Sequence, residues 1–274
     1  MEKFKKVLKF LVNNILFIAI LLLIFSVTLN KVITKDLLTD FLIQKVSNET
    51  TEVLDKNFNE LDKEDINKIN NDIKTNKDVN NLIEKYARNT IEVMSENNTY
   101  DMNLLDDAKA VIKANKNILR DEYKINVTDK QIDEAVDKLD KEYKLNDYYN
   151  NLVKQTSNNL SKEQKDALKL YKFITSTKLM IILSIIIIVL LIAIAIYKKS
   201  FYKWLKNLSI SSITSSILNI IAFISITLVI NTSMKDFKLQ MIKSIEIPLC
   251  FLVGSLLLLT IYKIIDLKIK RNTK

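Results

Sequence analysis

The sequence predicts an all-α integral membrane protein with four transmembrane helices and an extracytoplasmic helical-bundle domain inserted between the first and the second. Three observations predict it. Long apolar runs sit at the start of the chain and across its last hundred residues. The stretch between them is polar, with apolar positions recurring at helical spacing. Lysines gather at the ends of the apolar runs. Residues 31–177 carry 24 basic against 28 acidic side chains, a net charge of −4, while the rest of the chain carries 17 against 4, a net of +13. The basic excess therefore belongs to membrane flanks, which argues against a nucleic-acid surface.

Residues 1–7 form a basic N-terminus, with Lys3, Lys5 and Lys6 (and Lys9 just beyond) ahead of an apolar stretch at 8–29. At about 1.5 Å per residue that stretch is long enough to cross the hydrocarbon core. A cleaved signal peptide is the rival reading, but no small-x-small cleavage site follows; the exit reads Phe25, Ser26, Val27, Thr28, Leu29. Retention as an anchor is the expectation.

Residues 30–177 form the polar domain. Ile33, Leu37, Leu38, Phe41, Leu42 and Val46 continue a helical stripe out of the first span. Further stripes run through Val79, Leu82, Ile83, Tyr86, Ala87, Ile91 and Met94, through Leu104, Leu105, Ala108, Val111 and Ile112, and through Ile132, Ala135, Val136, Leu139 and Tyr143. Thr128 with Gln131 and Ser161 with Gln164 have capping-box form and mark two helix starts. The helix they predict over 162–176, with Ala167, Tyr171 and Ile174 on one face, can run on into the second span. With no glycine in the domain, the turns fall to Asn97 and Asn98, Asn146 and Asp147, and Asn158 and Asn159. A bundle of four to six helices is expected; no heptad register lasts long enough for a coiled coil.

The second span is 178–197, followed by a cytoplasmic loop at 198–207 containing Lys198, Lys199, Lys203 and Lys206. Tyr197, Phe201, Tyr202 and Trp204 around it suit an interfacial aromatic belt. The third span, 208–230, is diluted by serine and asparagine but carries no charge. An outer loop at 231–244 leads to the fourth span at 245–265, where Pro248 is placed in the first turn, the position a helix tolerates. A tail at 266–274 closes the sequence with Lys268, Lys270, Arg271 and Lys274. The positive-inside bias puts both termini and the 198–207 loop in the cytoplasm of a cell membrane and the 30–177 domain outside, although Lys235, Lys238 and Lys243 make the small outer loop basic too. Lysine outnumbers arginine, and Asn and Ile are abundant, which reads as the AT-rich genome of a low-GC Gram-positive bacterium.

Composition also removes mechanisms. The chain has no histidine, one glycine (Gly254), one proline (Pro248) and one cysteine (Cys250). No disulfide can close within it. Phosphate-cradling loops lack their glycines, and triads and zinc sites lack imidazole. Asp55, Asn57 and Asn59 begin an EF-hand-like spacing, but Glu60 stands where glycine is needed and Ile66 where the bidentate glutamate belongs, so a helix end with Asp62 as cap is the better account. Asp133, Glu134, Asp137 and Asp140 alternate with Lys130, Lys138 and Lys141 as an ion-paired surface does. No metal, cofactor or catalytic residue is expected. Cys250 is expected to pack as a small apolar residue.

The one feature singled out is on the third span, where Ser212, Ser215, Ser216, Asn219, Ala222 and Ser225 fall largely on one face. Small, weakly polar residues permit close helix approach and interhelical hydrogen bonds. A helix-packing face is the reading, with Asn13 and Asn14 as possible partners. No acidic or basic residue lies deep in a span, which leaves an ion relay without residues.

A span, an outer helical domain and another span make a layout similar to that of bacterial chemoreceptors and sensor kinases. The sequence departs from them in having no cytoplasmic signalling module, so output would have to pass to another membrane protein. Composition and layout are also similar to those of multi-pass proteins of low-GC Gram-positive bacteria. The expected function is a non-enzymatic sensing or interaction module whose partners are the lipid bilayer and a membrane protein or a second copy of itself. An accessory subunit of a transporter, export or cell-envelope complex is the alternative, and an enzyme ranks last.

Overall fold

The computed structural model describes residues 2–39, 42–43, 63–96, 103–123, 126–200, 202–233 and 239–272. Among these every regular element is helical: α1 (Glu2–Leu29), its continuation Asn30–Thr39, α2 (Lys63–Thr75), α3 (Lys77–Glu96), α4 (Leu104–Ala114), α5 (Lys116–Tyr123), α6 (Asp129–Tyr143), α7 (Leu145–Asn159), α8 (Lys162–Ile174), α9 (Thr177–Tyr197), α10 (Lys203–Ser233) and α11 (Met241–Asn272). They divide into two compact units, one of Met1–Leu37 with Phe173–Lys274 and one of Leu38–Lys172.

The first unit contains four helices long and apolar enough to cross a membrane, within Val7–Thr34, Thr177–Tyr197, Lys203–Ser233 and Met241–Arg271. α10 packs most extensively against α11, and α1 packs against all three others. Leu16, Ile20 and Ile24 of α1 and Ile194 of α9 form one apolar core, flanked by Val12, Ile187, Leu190, Leu191, Trp204 and Leu208. Val32, Phe223 and Leu239 form a second, with Phe25, whose ring lies 5.4 Å from that of Phe223. Successive helices run antiparallel. At one end Asn13 of α1 meets Asn207 of α10, and Tyr202 beside α10 meets Asp266 of α11. At the other end Lys31 pairs with Glu246, and the Ser26 hydroxyl donates to the Ile174 carbonyl.

These helices overrun the apolar stretches that announce them. α10 begins at Lys203 and α11 extends from Met241 to Asn272, so the 198–207 loop shrinks to the five residues 198–202. Hydropathy stops at the first lysine, but a helix need not. Lysine is a good helix former, and its long stem covers apolar surface while its ammonium reaches water. At 31 residues, α10 is about 46 Å long, enough for hydrocarbon and headgroup layers together.

Pro248, expected in a first turn, is instead interior to α11 and fully buried. It removes the N–H that would have bonded the Ser244 carbonyl one turn earlier. The hydroxyl of Ser244 holds that turn by donating to the Met241 carbonyl at 2.7 Å and meeting Thr227 Oγ1 at 2.8 Å. The continuation of α1 also differs from expectation. Asn30–Thr39 winds as a π-helix, each N–H reaching five residues back, a hydrogen-bond pattern that an apolar stripe cannot specify. Nor does α8 run into α9. It ends at Ile174, and Ser176 caps a new helix by accepting from Leu179 N at 3.2 Å. Cys250 is exposed on α11, where a packed position was expected.

The second unit is built from α2–α7 and most of α8. Between residues 63 and 174 there are seven described helices, more than the four to six expected, because single residues at Asn76, Asn115 and Lys144 interrupt longer helical stretches. Both capping boxes form. Thr128 and Gln131 satisfy each other's backbone N–H groups at the start of α6, and Ser161 and Gln164 do so at α8, at 2.8 and 3.2 Å. The turn expected at Asn146 and Asp147 falls instead at Lys144, which takes a left-handed conformation (φ 47°, ψ 59°) that costs a non-glycine residue about 1 kcal/mol. Asn146 and Asp147 are helical, as are Asn158 and Asn159 at the end of α7. The EF-hand-like spacing at Asp55–Asn59 with Asp62, and the expected turn at Asn97 and Asn98, lie outside the described residues.

α4 packs against α6, and α3 against α7. The α3 stripe buries Tyr86, Ala87 and Ile91, while the α4 stripe is half-buried throughout. The α6 stripe is split: Ile132 and Val136 are each 3% exposed, but Leu139 is 49% exposed and Ala135 faces outward as well. The acidic edge of α6 faces α4, where Lys113 bonds Asp133 and Lys109 bonds Asp137, both at 2.6 Å. Replacing Ile132 with Ala is expected to cost about 2–5 kcal/mol, as buried Ile truncations do. Replacing Leu139 with Ala is expected to change stability by less than about 0.5 kcal/mol. Urea unfolding of the full chain in mild detergent, followed by circular dichroism, checks both; equal losses would put Leu139 back in the core.

Candidate functional site

The serine- and asparagine-rich face of α10 is the site that the sequence singles out. Its placement follows from 3.6-residue periodicity. Ser209, Ser212, Ser215, Ser216, Asn219, Phe223 and Thr227 are buried, making one stripe along the helix. Two edges of that stripe meet different partners. Toward α1, Ser215 Oγ donates to the Phe17 carbonyl at 3.3 Å, and Asn219 Nδ2 donates to the Leu21 carbonyl at 3.2 Å and to its own Ser215 carbonyl at 2.9 Å. Toward α11, Ser255 Oγ donates to Ser212 Oγ at 2.6 Å, and Thr227 Oγ1 meets Ser244 Oγ at 2.8 Å. α10 is thus laced to both neighbours. Ser216, fully buried, has a hydroxyl without a partner among the described residues.

The remaining members of the sequence-derived set lie elsewhere. Ala222 is half-buried, and Ser225 is exposed, its hydroxyl turned back to the Ile221 carbonyl. Asn13 and Asn14 do not reach the stripe. Asn14 donates to Phe10 of its own helix at 2.9 Å, and Asn13 accepts at 2.7 Å from Asn207, two residues before the stripe begins at Ser209. Thr227, Ser244 and Ser255, which complete the contact with α11, escaped the sequence reading. Their signal was available, since Ser244 and Ser255 are eleven residues apart, three helical turns on one face of α11.

The three lysine-rich segments converge at one end of this unit. Asn207 joins Asn13 to Lys198, whose Nζ donates to Asn207 Oδ1 at 2.7 Å. Tyr202 stacks on Tyr262 at 5.9 Å and donates to Asp266 at 3.2 Å. Two residues of the expected aromatic belt therefore have defined contacts, Tyr202 here and Trp204 against the α1–α9 core, while Tyr197 is exposed.

In the second unit the polar groups are joined across helices. Lys109–Asp137, Lys113–Asp133 and Lys116–Asp129 form an antiparallel ladder from α4 and α5 to α6. The Lys116 ammonium, bonded at 2.9 Å, holds the Asp129 carboxyl below its ordinary range. The acidic cluster thus finds lysines on other helices, while within α6 Lys130 and Glu134 lie 3.7 Å apart. Tyr86 of α3 donates to Asp107 of α4 at 3.1 Å, and Lys85 grips the same carboxylate at 2.6 Å. Burial, then the charge and hydrogen bond of Asp107, push the Tyr86 phenol up, so it stays protonated as a donor. Tyr149 of α7 packs edge-on against Tyr86 at 4.9 Å and meets Thr90 Oγ1 at 2.8 Å. No group of three or more His, Cys, Asp or Glu side chains among the described residues could hold a metal.

The hydroxyl pairs of α10 and α11 are testable by coupling energy. A cycle of Ser212→Ala, Ser255→Ala and the double variant, read by unfolding in mixed micelles, is expected to give about 0.6 kcal/mol and at most about 1.7 kcal/mol, the range for hydrogen bonds between membrane helices. Ser225→Ala is expected to leave stability unchanged, and a zero coupling would dissolve the Ser212–Ser255 bond. Comparison with protein-family models, with curated proteins and with solved structures finds no match to this chain.

Proposed function

We propose that the chain is a non-enzymatic multi-pass protein of the cell membrane whose helical domain, displayed outside the cytoplasm, senses or binds a ligand and passes the result to a partner membrane protein. One observation carries this reading: a compact unit of polar helices is inserted between the first and second of four membrane-length helices. The internal connection 198–202 is too short to hold a signalling module on the opposite side. The orientation rests on lysines. Those of the α1 start, the α9–α10 connection and the α11 end share one end of the unit, which the positive-inside bias assigns to the cytoplasm. Burial of Leu16, Ile20 and Ile24 supports retention of the first span, since its removal would strip the core around Ile194.

The accessory-subunit reading loses support from the α10 stripe. That face was its candidate docking surface, and it is spent on α1 and α11. The test is purification of the full chain from its native membrane in mild detergent. The sensing reading expects the chain to bind wall fragments or peptides saturably through its outer domain. Stoichiometric co-purification of a transporter or export complex, with no such binding, would replace it with the accessory role.

Orientation has its own measurement. In a Cys250→Ser background, a cysteine at Asn150, exposed on α7, is expected to react with an impermeant maleimide in intact cells, and one at Lys206, exposed on α10, only after lysis. The reverse pattern would invert the topology.

A further inference from the structure

We propose that the pocket between the start of α1 and the α9–α10 connection binds the phosphate of an anionic phospholipid, with Lys9 and Lys198 as its charge partners. Leu8, Lys9, Val12 and Asn13 of α1 line it with Ala193, Ile194 and Tyr197 of α9, Lys198, and Asn207 of α10. Its volume is about 100 Å³, room for a phosphate group and not for a folded ligand.

The pocket is built and not merely basic. Lys198 is half-buried, and Asn207 fixes its ammonium while being fixed in turn by Asn13, so the charge is held at the pocket wall by a two-step hydrogen-bond chain. One of its three donor hydrogens is used on Asn207, which leaves two for an occupant. Among the described residues no carboxylate forms an ion pair with Lys9 or Lys198. Burial, and then repulsion from Lys9, Lys206 and Lys203, lower the Lys198 pKa below its ordinary value. Lys9 and Lys198 line the pocket with no carboxylate among its lining residues, an arrangement that calls for an anion.

The apolar side of the pocket decides which anion. Leu8, Val12, Ala193 and Ile194 give the pocket an apolar wall opposite its ammonium groups, so an occupant charged at one end and apolar at the other suits it. A wider groove of about 580 Å³ on the neighbouring face of α9 repeats the pairing, with Ile188, Ile192 and Ile196 along its wall and Lys199 and Trp204 at its mouth. Basic pockets between membrane helices at headgroup depth suit phospholipid phosphates, and a free anion would leave the apolar wall uncovered. The inference rests on reading the four helices as membrane spans, though not on which side faces the cytoplasm.

The test is native mass spectrometry of the full chain in nonionic detergent, with phosphatidylglycerol and phosphatidylcholine added in equal amounts. Retention of phosphatidylglycerol over phosphatidylcholine is expected. Each of Lys9→Gln and Lys198→Gln should lower it about fivefold and the two together about 30-fold, as about 1 kcal/mol per lysine implies. Glutamine at 198 keeps a donor for Asn207, so the fold is preserved. Lys263→Gln with Lys268→Gln, on the C-terminal part of α11, should leave retention unchanged. Equal loss in that control, or no loss in the Lys9 and Lys198 variants, overturns the pocket, as does displacement of the lipid by millimolar inorganic phosphate alone. None of these outcomes depends on orientation, because detergent exposes both ends, so a failed pocket and an inverted topology are distinguishable.

Discussion

Taken as membrane spans, as proposed, the four helices depend on a constraint imposed by α10: a helix carrying this many hydroxyl and amide groups draws most of them toward protein, because lipid offers no hydrogen bonds. α10 therefore takes the position where both flanks are protein. α1 lies along one edge and α11 along the other, and the polar atoms bridge at both. The small size of those same residues lets the backbones approach, which gives the unit the dispersion contacts that replace a hydrophobic driving force inside a bilayer. Placement of α1 between α9 and α10 then follows, and with it the meeting of Asn13, Asn207 and Lys198 at the basic end.

The second unit is polar and is held differently. Its apolar stripes are short, and neighbouring helices are registered by charged pairs as much as by packing. The three rungs from α4 and α5 to α6 are individually weak, since exposed ion pairs contribute about 0–1 kcal/mol each. Their value lies in register: shifting α6 by one turn would break all three at once. Tyr86 plays the corresponding part at the centre, with one ring joining α3 to α7 through Tyr149 and one hydroxyl joining α3 to α4 through Asp107.

What the sequence made legible is whatever is settled locally. The two capping boxes are four-residue motifs whose partners lie three positions apart, and both form. Four membrane-length helices follow from apolar length alone. What depends on a distant partner was hidden. Leu139 lies within about 20° of Ile132 around α6, but burial at its level along the axis needs a neighbouring helix, and it is 49% exposed. Lys144 takes a left-handed turn that its own chemistry does not favour, because α6 and α7 must reverse there and no glycine is present. Asn13 had several polar residues of α10 to choose from; only the packing of α1 selects Asn207. Pro248 fits a first turn by its own chemistry, whereas α11 starts seven residues before it.

α9 differs from its three companions in having almost nothing specific to lose. Leu183 and Ile194 are its buried side chains, Ile187, Leu190 and Leu191 pack against the core around Ile194, and eight others are exposed isoleucine or valine. Under the proposed topology these side chains face lipid, where one aliphatic group is nearly as good as another. Over generations this helix is free to drift among aliphatic residues with little consequence, while each exchange along the inner stripe of α10 strands a partner on α1 or α11. Divergent descendants of this chain would thus preserve the less hydrophobic helix and scramble the more hydrophobic one, the reverse of what a soluble core teaches.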